Sequence, residues 1–328
     1  MVPAHEPPLM LRRPSPEDRE ALLALVHADE MDAVGRTSVT GAEIDEALVP
    51  VHTTLDEDQW LAVGEDGHLH GWVLLWDQGS HDHLDVEVYR DPQRAHESVR
   101  GALLDLALER IGQRARAGGY DHIVLDVGCV AGDERYAATL RSRGLRRSRT
   151  FYRLRIDLDQ RRPLPRPQVD GVRLGPFDGS EDGWRQLHAV LEEAFVDHYS
   201  FSPTSYESYR ADAESEPVPD REFWRVAWAD EAMVGVCRAS GRNAELGGGY
   251  VTGLAVLPSH RGRGIGRALL SATFEAYREA GRTWGQLGVD TENSTGALRL
   301  YESIGMQRYE EVHAYQLAVP ALGAPQPT

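Results

Sequence analysis

The chain has 328 residues, enough for two domains of about 150 residues with separate cores. Its formal net charge of −17 argues against nucleic acid, whose phosphates would be repelled over most of the surface. No apolar run approaches the roughly 20 residues of a membrane span and no signal peptide opens the chain, so a cytoplasmic protein, monomeric or homodimeric, is expected.

In chain order, residues 1–158 make a first domain whose opening stretch, Met1 to Pro8, carries little apolar content and is expected to fray. His81-Asp82-His83 has the residue types of a metal cluster but sits in a polar stretch between predicted strands, so no metal site is expected. Cys129 and Cys237 fall in different halves in apolar strand contexts and are expected as two buried thiols. Residues 159–171, DQRRPLPRPQVDG, are rich in Pro and Arg and lack periodic apolar positions, as a linker does. A second domain is expected over residues 172–319, and 320–328 as a flexible tail.

Within the second half, the helix LHAVLEEAFVDHY ends in Asp197 and His198, and Glu245 lies in the loop before an apolar, β-favouring strand, Tyr250 to Leu257. That strand stops at Pro258 and is followed by Gly262, Gly264 and Gly266. Beyond them Ala268, Leu269, Ala272 and Ala276 recur at the spacing of one helical face, so the loop opens a helix. Unpaired N–H donors and the positive end of the macrodipole make such a start an anion site, the glycines let a phosphate approach bare backbone, and Arg261, Arg263 and Arg267 add charge. The helix ends near Gly281, Trp284 to Val289 forms a short strand, and Asp290 to Asn293 a turn and N-cap. In NSTGALRLYESIGM, Ala297, Leu300, Tyr301 and Ile304 share a helical face, and Gly305 takes the place of a left-handed C′ residue. Val312 to Val319 alternates as a closing strand.

The glycine spacing is neither the G-x-G-x-x-G of a dinucleotide fold nor a P-loop, which needs a lysine this chain lacks altogether. Arg261-Gly262-Arg263-Gly264-Ile265-Gly266 resembles the (Gln/Arg)-x-x-Gly-x-(Gly/Ala) pyrophosphate loop of the GCN5-related N-acetyltransferases (GNAT), and Asn293, Ala297 and Tyr301 match that family's downstream Asn-x-x-x-Ala-x-x-x-Tyr. The resemblance covers about Val172 to Val319 and implies an α/β (α+β) domain with a mixed, mostly antiparallel sheet flanked by helices. It also implies acetyl-CoA as co-substrate, held by Leu254, Ala255 and Val256, the loop Arg261 to Arg267, and Asn293. In such a fold the strand carrying Leu254 and Val256 splays from its neighbour and offers unpaired backbone to the pantetheine arm.

The first half repeats the second. Glu17-Asp18, Trp60, Gly71 and Asp126 each lie 164 residues before Glu181-Asp182, Trp224, Gly235 and Asp290, and with two residues of drift GALL at 101–104 underlies RALL at 267–270. A register kept over more than a hundred residues is the trace of duplication. His96, Ser98 and Arg100 stand where the second copy has its three glycines, and Leu140 where it has Tyr301. The N-terminal copy is therefore expected to be a degenerate GNAT-like domain that supports the active one.

The expected reaction is direct attack of a small-molecule primary amine on acetyl-CoA in a ternary complex, with Tyr301 giving a proton to the departing thiolate. His198 or Glu245 would take the ammonium proton, with His313 and Tyr315 as further residues facing the same cleft. The tandem layout resembles actinobacterial tandem acetyltransferases of the mycothiol synthase type, which implies a cysteinyl pseudodisaccharide as an alternative acceptor. A non-catalytic acyl-CoA sensor or scaffold is the reading from another class; it would need the glycine loop but no acid.

Overall fold

The computed structural model describes residues 10–323 apart from 51, 78, 80, 160–162, 166, 197–200, 202, 216–219 and 293–295. The elements of the first half are β1 (Met10–Arg12), α1 (Arg19–Val34), α2 (Gly41–Leu48), α3 (Leu55–Asp58), β2 (Gln59–Val63), β3 (Leu69–Asp77), β4 (His83–Arg90), α4 (Glu97–Gly118), β5 (His122–Val130), α5 (Glu134–Ser142) and β6 (Arg146–Asp157). The second half follows the same plan: β7 (Arg173–Pro176), α6 (Glu181–Phe195), α7 (Tyr206–Ser215), β8 (Arg225–Ala229), β9 (Ala232–Ser240), β10 (Gly248–Val256), α8 (Ile265–Glu279), β11 (Trp284–Asp290), α9 (Ala297–Ser303) and β12 (Gln307–Pro320).

Local chemistry sets the helix starts. At α2, Thr40 and Glu43 form a reciprocal capping box; at α6 the Ser180 hydroxyl accepts from Gly183 N–H. Each sheet is mixed. In one unit, Met1–Arg149 with Val312–Thr328, the strand order is β1-β2-β3-β4-β5-β12; in the other, Thr150–Glu311, it is β6-β11-β10-β9-β8-β7. Among the described residues, β4–β5 and β10–β11 are the parallel pairs within these sheets. In the first unit Leu103, Leu104 and Ile111 of α4 pack on Val73, Leu84 and Val86, while Leu22, Leu25 and Ile44 of α1 and α2 cover Trp72 and Leu74 on the opposite face. In the second unit α8 and α6 supply Leu269, Phe274, Trp184 and Leu187 to a single core.

Backbone registers support the duplication residue by residue. A Cβ on Gly71 would meet Leu103 Cδ1 at 2.7 Å and the Tyr89 carbonyl at 3.0 Å; one on Gly235 would meet Leu269 Cδ1 at 3.1 Å and the Ala255 carbonyl at 3.0 Å. Both glycines thus let the glycine-loop helix, or its counterpart, close on the sheet. Leu145 N–H donates to Leu140 O as Met306 N–H does to Tyr301 O, each at 3.2 Å, with Gly144 and Gly305 left-handed beside them.

Three expectations need correction. Asp126 and Asp290 are not counterparts: Asp126 lies opposite Asp85, whose counterpart Tyr250 lies opposite Gln286. The register slips because α4 has 22 residues and α8 only 15. The last helix starts at Ala297 with left-handed Gly296 as its N-cap, not at Asn293, which lies outside the described residues. Finally, the division in chain order at 159–171 differs from the division in space. β6, from the first half, pairs with β11, whereas β12 runs on from the second half to pair with β5. Alternation fixes which faces a strand buries; it does not choose the edge it joins.

Cys129 and Cys237 are both free and buried, and burial pushes each thiol up to about 12. The two histidines of the polar stretch part company: His81 Nδ1 meets Asp77 at 2.8 Å, and His83 Nε2 meets Asp126 at 2.7 Å. His83, Asp85 and Asp126 form the one group among the described residues whose ligand atoms lie close enough, within 4.8 Å, to suit a cation.

Candidate active site

The site begins with a strand that loses its partner. β10 and β11 pair from Gly248↔Trp284 to Val251↔Leu287 and no further. On its other edge β10 stays in register with β9 through a bulge at Thr252, between Val251↔Ala239 and Gly253↔Arg238. Leu257 N–H donates to Val234 O, so in this antiparallel ladder Ala255 and Gly253 also bond toward β9. Leu254 and Val256 therefore turn their backbone groups toward the side that β11 has left.

Next comes the turn Pro258–His260, then Gly262 and Gly264 at φ 76° and 86°. Gly264 is the N-cap of α8, whose first turn holds no acidic residue, so its N–H donors face outward without an internal anion. At Gly266 an added Cβ would lie 3.2 Å from Leu300 Cδ2, 3.7 Å from Leu254 Cδ2 and 3.8 Å from Val256 Cγ2. Glycine there keeps a narrow channel open between loop, strand and α9.

These features surround a cavity of about 610 Å³, lined by Val251 to Val256, Arg261, Gly262, Gly264 to Arg267, and Tyr301. Tyr301 is buried and forms part of the cavity wall. Desolvation, with Cys237 adding to it, raises the phenol well above its usual range, so it stays protonated.

The three loop arginines divide their work. Arg267 is exposed at the cavity wall. Arg261 also lines it, but its guanidinium donates to the carbonyls of Ala194 at 2.9 Å and Val256 at 3.2 Å, tying the loop to the end of α6. Arg263 lies outside the lining and donates to the Asp170 carbonyl at 2.8 Å. Glu245 is exposed in the turn Gly241–Leu246, at the opposite end of β10 from the glycine loop, and does not line the cavity. His198 lies outside the described residues. His313 and Tyr315 sit on the part of β12 that pairs with β5, opposite Cys129 and Val127, and not in the unit that holds the cavity.

The sequence reading missed the wall contributed by Phe195 and Phe201, and also His260, Leu287 and Leu300. The aromatic pair flanks the segment that carries the expected base His198, and His260 adjoins the loop; neither carries a periodic signal that marks a lining residue.

The Acetyltransferase (GNAT) family model matches residues 184–306, which take in the splayed strand, the glycine loop and Tyr301. A mycothiol acetyltransferase from Thermobispora bispora is 31% identical over 318 residues, covering 90% of this chain and 95% of that protein. Among solved structures, a GCN5-related N-acetyltransferase from Sphaerobacter thermophilus superposes with a TM-score of 0.80 at 24% identity, over 95% of this chain and 96% of that one. A tandem GNAT protein from the clavulanic acid biosynthesis pathway superposes at 0.72 with 17% identity, over 98% of this chain and all of that one. With sequence likeness running almost end to end and the doubled architecture shared, the chain belongs to the GNAT acetyltransferase family and is a tandem-domain N-acetyltransferase.

Proposed function

We propose that the unit Thr150–Glu311 binds acetyl-CoA in the 610 Å³ cavity and transfers the acetyl group to a primary amine of a small molecule by direct attack in a ternary complex. The observation that carries this reading is the run of unpartnered backbone at Leu254 and Val256, with bare main chain from Gly262 to Gly266 at one end and Tyr301 in the same cavity. The diphosphate would lie on the first turn of α8, with Arg267 beside it, and the pantetheine amides would take up the free strand edge. A β10 N–H aimed at the thioester carbonyl is worth about 3 kcal/mol to a developing oxyanion.

In the chemical step the ammonium gives one proton to a base, an N–C bond forms as the C–S bond breaks, Tyr301 donates a proton to the thiolate, and the second proton shed by the acylated nitrogen restores the phenol. No protein nucleophile is required. Cys237, buried with its thiol pushed up to about 12, is unsuited to the part. We retain His198 as the base because its segment joins Phe195 to Phe201, both of which line the cavity; Glu245 is too far along β10 to serve directly. Asn293 stays assigned to the cofactor by resemblance alone. The first copy, residues 1–158 in chain order, is a degenerate partner.

A second acceptor, the cysteinyl amine of a pseudodisaccharide, is favoured by the mycothiol acetyltransferase relative, which aligns along nearly its whole length. Free thiol release from acetyl-CoA, followed with a panel of amines that includes this one, tests both. Turnover with at least one amine supports the enzyme reading, and its size across the panel ranks the acceptors. Coenzyme A binding without turnover on any amine would instead mark a sensor.

A further inference from the structure

One cation close to a cavity-lining residue has no neutralising partner among the described residues. Arg238 of β9 stands opposite Gly253 of β10, a cavity-lining residue directly after the bulge. Arg238 is not itself a lining residue, but its guanidinium lies against Gly253: from the place a Gly253 Cβ would occupy, Nη2 is 3.3 Å away, Nε 3.4 Å and Cζ 3.8 Å. Gly253 is what lets the charged plane settle so close to the strand. Gly235 faces α8 through Leu269, so alternation along β9 turns Arg238 to the other face, where α6 packs. That is also the side from which Ala194, Phe195 and Phe201 line the cavity.

Other arginines of this unit are engaged: Arg153 pairs with Glu310 at 2.8 Å, Arg278 with Glu275 at 2.9 Å, and Arg282 with Asp220 at 2.6 Å. Among the described residues Arg238 has neither an ion pair nor a hydrogen bond, and its Nε is shut off from solvent. An unmatched buried donor on a guanidinium is costly, and in a native fold such a group calls for a reason. The planar edge formed by Nε and Nη fits one class of partner best, a two-oxygen anion held by parallel hydrogen bonds.

We propose that Arg238 is a specificity-determining residue that receives an anionic group, carboxylate or phosphate, borne by the acceptor amine close to its nitrogen. The inference rests on the acetyl-transfer reading of this cavity and narrows it. Because Gly253 sits where β10 parts from β11, an anion on Arg238 anchors the acceptor within a few bonds of the carbonyl under attack. The anion also offsets the repulsion that a lone guanidinium would exert on an incoming ammonium. Amino acids and aminoalkyl phosphates meet these demands; a neutral amino sugar does not.

The test is thiol release with matched acceptors: an amino acid, its amide, the corresponding alkylamine, and aminoethyl phosphate. The anionic members are expected to exceed the neutral ones in kcat/KM by at least about tenfold, mainly through KM, and the carboxylate and phosphate arms identify which anion is preferred. Arg238→Met keeps the aliphatic stem and removes the fork, and is expected to bring that ratio close to unity; Arg238→Lys restores part of it. Equal turnover of anionic and neutral partners, or a preference that survives in Arg238→Met, overturns the inference while leaving acetyl transfer intact. Failure to bind coenzyme A, or to acetylate any amine, overturns the acetyl-transfer reading and this inference with it.

Discussion

The stretch from β4 to α5 and the stretch from β10 to α9 share one backbone plan and differ in what fills its centre. In both, a parallel pair parts after a few residues: β10 from β11 beyond Val251, and β4 from β5 beyond Asp85. The second copy leaves the gap open with Gly266 and Ala297 on its walls. The first places Arg100 and Tyr136 at those positions, stacked with the guanidinium 4.3 Å from the ring centroid. Arg100, only 3% exposed in its side chain, is ion-paired with Asp29, with Asp133 at 3.3 Å and with Glu97 at 3.3 Å. Glu97 also opens α4, so that helix carries its own anion, held by Arg90 at 2.9 Å, where α8 has none. The lesson is that such a cleft can be filled from within: internal carboxylates and a guanidinium occupy the same helix end and gap that the other copy leaves open.

The sharpest way to break the comparison is to move the plug. Gly266→Arg is expected to abolish coenzyme A binding measured by calorimetric titration, since even a Cβ there lies 3.2 Å from Leu300. Retained affinity would show that the channel at Gly266 is not the cofactor's path. The reciprocal change, Arg100→Met, leaves Asp29 and Asp133 buried without their cation and should cost about 3–5 kcal/mol in denaturant unfolding. It should not create a second coenzyme A site, because Glu97 and Tyr136 remain.

Tyr301→Phe, which brings the cavity nearer to the Leu140 of the first copy, is expected to lower kcat about a hundredfold, or about 2.7 kcal/mol, with coenzyme A affinity unchanged. The raised phenol pKa gives the sign of the pH response. A proton donor lost only well above pH 10 puts no falling limb in the wild-type kcat profile below that pH, so a fall there that vanishes in Tyr301→Phe would show that the phenol titrates lower than its burial implies. The smallest effect is local: Gly264→Ala forces a side chain to φ 86° and should cost about 1–2 kcal/mol in stability, seen as a lowered unfolding midpoint.

Much of this was legible along the chain. Glycines before an amphipathic helix announce an anion site wherever they occur, since the permissive backbone and the free N–H groups are properties of a few consecutive residues. Tyr301 and Gly305 were readable for the same reason, through spacing on a single helix. The repeat was visible too, but where α4 outgrows α8 a constant offset matched Asp126 to the wrong residue. Glu245 looked close to the site because it precedes β10 in sequence, yet nine strand residues at about 3.3 Å each carry the chain far from that turn to the glycine loop.

Local sequence carries the tandem α/β plan and the contrast between the glycine loop of one copy and its substituted counterpart in the other, because helix period, strand alternation and glycine freedom act over a few neighbouring residues. Tertiary packing alone pairs β6 and β12 with the other half's strands, carries Arg100 back 71 positions to Asp29, makes Arg261 a tie, and leaves Arg238 against Gly253 without an ion-pair partner among the described residues. Those outcomes depend on which distant groups share a dry interior. There the cost of an unpaired charge, and not any local preference, selects the partner.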